Sequence, residues 1–128
     1  MSMPENAVQP EFNVLVVDDD RDAAESLAFC LQLDGRAVRF ATSSEEALAL
    51  AETCVPNLAL VDLVMPRVDG YALAREIRRR YGGGVVLVAV TGALRDMEAG
   101  PFNFHLTKPV DFNQLQLLFG LPQLRGNG

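Results

Sequence analysis

Features that mark disulfide-rich, secreted or membrane-spanning proteins are scarce in this chain. The two cysteines, Cys30 and Cys54, provide neither a disulfide framework nor the spacing of a metal site. Both lie in apolar stretches, which predicts buried thiols in a reducing compartment. No apolar run is long enough to cross a bilayer, and the polar, proline-containing residues 1–11 are unlike a signal peptide. We therefore expect a cytoplasmic protein without a membrane partner.

An excess of basic charge is also missing. The formal net charge is −6 at pH 7, whereas nucleic-acid surfaces need clustered lysine and arginine. The one basic run, Arg78-Arg79-Arg80, falls at the end of a predicted helix, where cations complement the helix dipole. Direct binding of nucleic acid by this chain is therefore not expected.

What the chain does contain is the composition of one globular domain. It has 128 residues, of which 49% are hydrophobic, enough to bury a substantial core. We predict a flexible segment at 1–11, a folded domain at 12–121 and a flexible tail at 122–128.

Within that domain, short β-branched apolar runs alternate with amphipathic stretches. Strands are predicted at Val14–Val17, Ala37–Ala41, Leu58–Val61, Val85–Val90 and Phe104–Thr107. Helices are predicted between Asp20 and Gly35, after the capping residue Ser43, at Tyr71–Tyr81 and after Asp111. Such alternation predicts an α/β doubly wound fold, with a five-stranded parallel sheet covered on both faces.

Polar residues end or follow four of the predicted strands. Asp18-Asp19-Asp20 follow the first strand, Asp62 the third and Lys108 the fifth, while Thr91 follows the fourth. Because chemistry in such sheets gathers at the carboxyl ends of the strands, we expect these side chains to meet at one edge.

The acidic run predicts a metal site. Three adjacent carboxylates repel one another, and capping of the next helix explains only one of them, Asp20. Mg²⁺, which prefers carboxylate and water oxygens, explains Asp18 and Asp19.

Asp62 interrupts an apolar stretch, where a carboxylate is rarely kept unless it is paired or binds a metal. Beside Mg²⁺ it could accept a phosphoryl group. Lys108 alone is typical of a surface residue, but next to an acidic edge it could supply a neutralising ammonium. Thr91 has two interpretations, a helix cap or a hydroxyl that bonds a phosphoryl oxygen on Asp62.

Four motifs, each at a strand end and in this order, carry a family resemblance. They are Val14-Leu-Val-Val-Asp-Asp19, Leu60-Val-Asp-Leu-Val-Met-Pro-Arg-Val-Asp-Gly70, Val88-Ala-Val-Thr-Gly92 and Leu106-Thr-Lys-Pro109. From about Asn13 to Gly120 the chain resembles the receiver domains of bacterial response regulators, chemotaxis regulators and hybrid sensor kinases. The resemblance implies a flavodoxin-like fold with strand order 2-1-3-4-5.

The resemblance also implies roles for single residues. Asp62 would take a phosphoryl group from the phosphohistidine of a histidine kinase or a histidine phosphotransfer protein. Asp19, Asp62 and the backbone carbonyl of Val64 would bind Mg²⁺ directly, and Asp18 through water. Thr91 would be the switch hydroxyl, and Lys108 the phosphate-binding ammonium.

Further implications concern the surroundings of the site. The Lys108-Pro109 peptide would be cis, and Asp69-Gly70 would form the turn that starts the third helix. The chain would be a signalling domain that catalyses its own phosphorylation rather than an enzyme in the usual sense. Its output surface, also a candidate homodimer interface, would comprise the fourth helix, the fifth strand and the C-terminal helix.

Three features depart from the family pattern. His105 stands where many receivers carry a tyrosine or phenylalanine switch, and it could equally be an exposed edge residue. A shortened fourth helix is predicted at 93–99, before Gly100-Pro101. Val64 and Ala93 are apolar where relatives often orient water, from which we expect slow dephosphorylation.

Three other functions fit parts of the pattern. An interaction module of the same fold that takes no phosphate is the main alternative. A flavodoxin-like FMN carrier would need a phosphate loop where the three aspartates stand. A Mg²⁺-dependent phosphohydrolase would need an additional domain to form a substrate pocket.

Overall fold

The structure is a computed structural model that describes residues 12–33, 36–63, 69–92 and 100–119. Within these ranges, five strands alternate with helices as the sequence predicts. In chain order the elements are β1 (Asn13–Val17), α1 (Arg21–Leu33), β2 (Ala37–Ala41), α2 (Ser44–Thr53), β3 (Leu58–Asp62), α3 (Gly70–Tyr81), a 3₁₀ turn (Gly82–Gly84), β4 (Val86–Thr91), β5 (Phe104–Thr107) and α4 (Phe112–Phe119).

The five strands form one parallel sheet in the order β2-β1-β3-β4-β5. This confirms the α/β, flavodoxin-like fold and its strand order. The register pairs Val17 with Val61, Asp62 with Val90, and Thr91 with Thr107. The carboxyl ends of β1, β3, β4 and β5 therefore lie along one edge of the sheet, which we call the carboxyl edge.

Two apolar layers cover the sheet. Side chains of α1 and α4 pack on one face against Val14, Val16 and Val88. Side chains of α2 and α3 pack on the other face against Leu15, Val17 and other strand residues. β1, β3 and β4 are buried on both faces because they lie inside the sheet, while the outer strands β2 and β5 expose some residues.

Side-chain caps fix where α2, α3 and α4 begin. The Ser43 hydroxyl accepts a hydrogen bond from the Glu46 amide at 3.1 Å, and Glu46 Oε1 accepts one from the Thr42 amide at 2.9 Å. Asp69 Oδ1 accepts from the amides of Tyr71 and Ala72 at the start of α3. Asp111 Oδ1 accepts from the Gln114 amide in α4. These contacts satisfy amides that have no partner within the helix.

The prediction that both cysteines are buried is wrong. Cys30 is exposed and Cys54 is only partly buried. In α1 the core contacts come from Ala24, Ala28 and Leu31, and the helical rotation of about 100° per residue turns Cys30 away from them.

Several predictions concern residues outside the described ranges. They are the flexible segment at 1–11, the tail at 122–128, the end of the first helix at Gly35, and the short fourth helix at 93–99. Among the helices that the structure does describe, none is both long and apolar enough to span a membrane.

Candidate functional site

Among the described charged residues of the carboxyl edge, Asp62 is the most deeply buried. It is the last residue of β3 and is only 4% exposed. Its Oδ2 atom accepts a hydrogen bond from Lys108 Nζ at 2.6 Å. Removing a carboxylate from water is costly unless an opposite charge compensates, and Lys108 provides that charge.

Lys108 reaches Asp62 because the chain turns directly after β5. The Lys108 amide donates to the Thr91 carbonyl at 2.9 Å, which continues the β4–β5 pairing by one residue. The Lys108-Pro109 peptide is cis, as the resemblance implies. The Lys108 side chain remains 41% exposed, so the ammonium contacts both Asp62 and solvent.

Asp18 lies beside Asp62, close enough for the two carboxyl groups to share a hydrogen bond. Burial raises the pKa of Asp18, and the negative charge of Asp62 raises it further. The Asp20 amide, which donates to Asp18 Oδ1 at 3.0 Å, and the Lys108 ammonium act in the opposite direction. A buried carboxylate and a partly buried one thus face one another, with the Lys108 ammonium beside them.

The other two aspartates of the acidic run have separate surroundings. Asp20 Oδ1 accepts from the amides of Asp22 and Ala23 at 3.0 and 3.3 Å, so Asp20 caps α1 as predicted. Asp19 is partly buried at the same edge. The structure therefore brings Asp18, Asp62 and Lys108 into contact and places Asp19 next to them in the chain.

Thr91 is also buried at this edge. It is the last residue of β4, is 5% exposed, and pairs with Thr107 of β5. Whether its hydroxyl caps a following helix depends on residues 93–99, which lie outside the described ranges, as do Val64 and Ala93. The roles predicted for Val64 and Ala93 remain predictions.

The adjacent carboxylates of Asp18 and Asp62 suit a hard cation, because Mg²⁺ binds few protein oxygens and retains several waters. In this structure Lys108 is bonded to one oxygen of Asp62. Among the described residues, no group of three aspartate, glutamate, histidine or cysteine side chains surrounds a common metal position. Asp18 and Asp62 therefore fit as two of the ligands of such a cation.

Gly70 permits the close approach of α3 to Asp62, whereas the sequence alone predicts Gly70 only as part of a turn. A Cβ atom at this position would lie 3.1 Å from the Asp62 carbonyl oxygen and 2.9 Å from a methyl group of Leu63. A side chain there would push the start of α3 away from the phosphoacceptor candidate.

A groove beside the site is a feature that sequence reasoning missed. Its volume is about 370 Å³, and its lining is mostly apolar. One wall comes from α1 and the other from the residues that follow β5. The lining residues are Asp18, Ala23, Ser26, Leu27, Cys30, Val90, Lys108, Pro109 and Val110. The spacing of Ala23, Leu27 and Cys30 at one helical face is the only sequence signal for it.

Comparison with known proteins gives one consistent result. The family model described as the response regulator receiver domain matches residues 14–119. An uncharacterized 14.6 kDa protein of Leptolyngbya boryana is 36% identical over 107 residues, which cover 79% of this chain and 82% of that protein. Response regulator MprA of Mycolicibacterium vanbaalenii is 34% identical over 80% of this chain, which spans only 46% of MprA.

Solved structures agree with the sequence relatives. The CheY-like receiver domain of Methylobacillus flagellatus has a TM-score of 0.76 and 28% identity, covering 84% of this chain and 94% of that one. The response regulator TrrA of Thermotoga maritima, solved in complex with Mg²⁺ and BeF, has a TM-score of 0.73 and 27% identity, covering 83% of this chain and 94% of that one. Since the family match extends over most of the sequence, the chain belongs to the response regulator receiver domain family.

Proposed function

We propose that Asp62 accepts a phosphoryl group from the phosphohistidine of a histidine kinase or a histidine phosphotransfer protein, and that the modified domain changes its binding to a downstream partner. A phosphoacceptor role in two-component signalling is general in this family. The observation that carries the proposal is the contact of 2.6 Å between the buried Asp62 carboxylate and Lys108 Nζ, with Asp18 alongside.

The proposed reaction moves one phosphoryl group between two protein side chains. An Asp62 carboxylate oxygen attacks the phosphorus atom, the bond from phosphorus to the histidine nitrogen breaks, and the departing imidazole keeps that electron pair and takes up a proton. The product is an acyl phosphate on Asp62. The Lys108 ammonium, already 2.6 Å from the carboxylate, would stabilise the charge on the transferring oxygens.

Asp18, Asp19, Asp62 and the backbone carbonyl of Val64 would hold Mg²⁺, which supplies further positive charge at those oxygens when bound. Support comes from the paired carboxylates of Asp18 and Asp62 and from the Mg²⁺ complex of the related TrrA. Thr91, buried at the end of the neighbouring strand, would bond a phosphoryl oxygen only after transfer, so its hydroxyl would favour the modified state.

The phosphodonor would dock in the groove between α1 and the residues after β5. Asp18 and Lys108 of the candidate site are part of the lining of the groove, and the rest of the lining is mostly apolar. A partner helix with apolar residues next to its phosphohistidine fits that surface. A second candidate surface, for a homodimer or an output partner, comprises residues 93–99, β5 and α4. In the described part of it, His105 and Leu117 are exposed.

The test is the intact mass of the chain after incubation with Mg²⁺ and phosphoramidate. We expect a gain of one phosphoryl mass that disappears with EDTA and in Asp62→Asn. Glu52→Gln, which alters a carboxylate in the last turn of α2 that pairs with Arg80, is the matched control and should keep the adduct. A second measurement compares the lifetime of the adduct in wild type and in Val64→Asn. If the apolar residues Val64 and Ala93 slow dephosphorylation, the adduct should have a shorter lifetime in Val64→Asn.

Absence of an adduct under these conditions, together with no response to beryllofluoride, would contradict the proposal. That result would favour the alternative of an interaction module that takes no phosphate.

A further inference from the structure

One outer edge of the sheet is formed by β2, and the other by β5. On its inner side β2 pairs with β1, where the Ala37 amide donates to the Phe12 carbonyl at 3.3 Å. Backbone groups of successive residues point to opposite sides of a strand, so those of Val38, Phe40 and Thr42 point to the outer side. Within the described ranges no further strand pairs with that side. The outer side of β2 is therefore an open edge of the sheet.

Two side chains of the same chain cover the ends of this open edge. The Val38 carbonyl accepts a hydrogen bond from Gln32 Nε2 at 3.2 Å. The Thr42 amide donates to Glu46 Oε1 at 2.9 Å. Phe40 lies between these two covered positions, and its outward amide and carbonyl have no such side-chain bond among the described residues. The middle of the edge is thus available for pairing with another strand.

A groove of about 470 Å³ lies at this edge, between α1 and α2. Its lining includes Val38 and Phe40 of β2 and Leu50 of α2. It also includes Phe29 of α1, whose side chain is 59% exposed. Contact with another protein would remove this apolar surface from water, which is favourable.

The rim of the groove carries charges of both signs. Arg39 of β2 and Glu46 of α2 both line the groove, and both are exposed. In the described structure Arg39 uses only Nη1, in a bond of 2.9 Å to Thr53 Oγ1, and Glu46 uses only Oε1, in its bonds to Thr42. Each of the two charged groups therefore retains polar atoms for a second contact.

These charges make the edge complementary to a second copy of itself. Two identical edge strands related by a two-fold axis pair antiparallel. If Phe40 lies opposite Phe40 of the other copy, Arg39 lies opposite Ala41 of that copy, on the same face of the sheet. Ala41 directly precedes the residues that start α2, where Glu46 lies. Both Arg39 side chains would then meet a Glu46 carboxylate of the other copy.

We propose that the outer edge of β2 is the interface of a symmetric homodimer. The amide and carbonyl of Phe40 pair with those of Phe40 in the other copy, and Arg39 of each copy pairs with Glu46 of the other. The inference goes beyond the proposed function and does not depend on phosphorylation. It also differs from a homodimer through β5 and α4, because β5 forms the opposite edge of the sheet.

The experiment measures the molar mass of the full chain without a tag by light scattering at low salt, over a range of protein concentrations. The variants are Arg39→Glu, Glu46→Lys and the combination of the two, with far-UV circular dichroism as the check of folding. Leu117→Asp, at a residue of α4 that is 76% exposed, is the matched control because it places a charge on the other candidate surface. Glu46→Gln, which keeps an oxygen for the Thr42 amide, replaces Glu46→Lys if that variant does not fold.

We expect wild type and Leu117→Asp to approach twice the 13.9 kDa of one chain as the concentration rises. Each single charge reversal should raise the dissociation constant about tenfold or more, because the symmetry places two unfavourable contacts in every dimer. The combined variant should restore most of the dimer, since it exchanges the two charges.

A wild type that stays monomeric at every concentration would overturn the inference. Undiminished dimer in the single charge variants, no restoration in the combined variant, or loss of the dimer in Leu117→Asp would each overturn it as well. Because no step of the experiment uses phosphoryl transfer, failure of the proposed function would leave this result unchanged.

Discussion

The two edges of the sheet use polar side chains in different ways. At the amino edge, where the strands begin, Asn57 Oδ1 accepts from the Asn13 amide at 2.7 Å, and Arg78 donates to the carbonyls of Gly82 and Val85. At the carboxyl edge, Asp18 and Asp62 face one another, and the Lys108 ammonium lies 2.6 Å from Asp62 Oδ2. Polar groups that complete backbone hydrogen bonds stabilise a fold, whereas facing carboxylates cost stability and indicate a function.

The comparison predicts that Asp62→Asn abolishes phosphoryl uptake with little effect on folding. The variant removes the repulsion between the carboxylates, and the freed Lys108 ammonium is exposed enough to remain in water. We expect the free energy of unfolding to change by no more than about 1 kcal/mol. Urea unfolding of the variant and the wild type, beside the phosphorylation assay, measures both effects, and a large loss of stability would show that Asp62 is primarily structural.

The reverse outcome is expected for Arg78→Ala at the amino edge. Its guanidinium donates to four oxygen atoms, on Gly82, Val85, Pro101 and Asn103. Losing bonds of this kind should cost about 3 kcal/mol in urea unfolding, while Asp62 still accepts a phosphoryl group. Arg79→Ala, at a side chain that is 70% exposed, is the control and should cost less than about 0.5 kcal/mol. Equal losses of unfolding free energy in Arg78→Ala and Arg79→Ala would show that the four hydrogen bonds of Arg78 contribute no more to stability than an exposed side chain does.

Gly70→Ala should affect both the stability of the fold and the uptake of a phosphoryl group. The added methyl group would meet Leu63, Val61 and the Asp62 carbonyl, so we expect a loss of about 1–3 kcal/mol in the free energy of unfolding. Because α3 would move away from Asp62, phosphoryl uptake should also slow. The rate of adduct formation at a temperature where the variant remains folded checks this, and an unchanged rate would show that the close approach serves packing alone.

The smallest effect is expected at Glu76 on the surface of α3. Hydrogen bonds from Arg79 and Arg80 lower the pKa of Glu76 from its ordinary value of 4.5 to about 2. Its contribution to stability is therefore present above pH 4.5 and is lost as the pH falls towards 2. Glu76→Gln should flatten the decline of stability over that interval in urea unfolding at several pH values. An unchanged pH dependence would show that these exposed pairs contribute nothing.

The sequence was sufficient to predict the sheet and the edge of the sheet at which the candidate site residues lie. Buried strands have a strong apolar signal, and parallel strands necessarily place Asp18, Asp62, Thr91 and Lys108 at one edge. Both predictions combine local sequence patterns with one rule of topology, that parallel strands have their carboxyl ends at the same edge of the sheet.

Features that depend on which surfaces meet could not be predicted in the same way. Cys30 lies in an apolar stretch, but only the packing of α1 shows that its thiol is exposed in the groove. The position of the basic run at a helix end indicates only that it complements the helix dipole, whereas Arg78 also bonds residues more than twenty positions away. The burial of Phe102 likewise depends on contacts with Tyr71 and β5 that helical or strand periodicity does not contain.

The most direct test of the central claim is to locate the phosphoryl group on the chain. Borohydride reduction of an acyl phosphate converts the modified aspartate to homoserine, which peptide mass spectrometry identifies by position. After incubation with Mg²⁺ and phosphoramidate, we predict homoserine at residue 62 and unmodified aspartate at Asp18, Asp19 and Asp20. Homoserine within the acidic run, with residue 62 unchanged, would contradict the account.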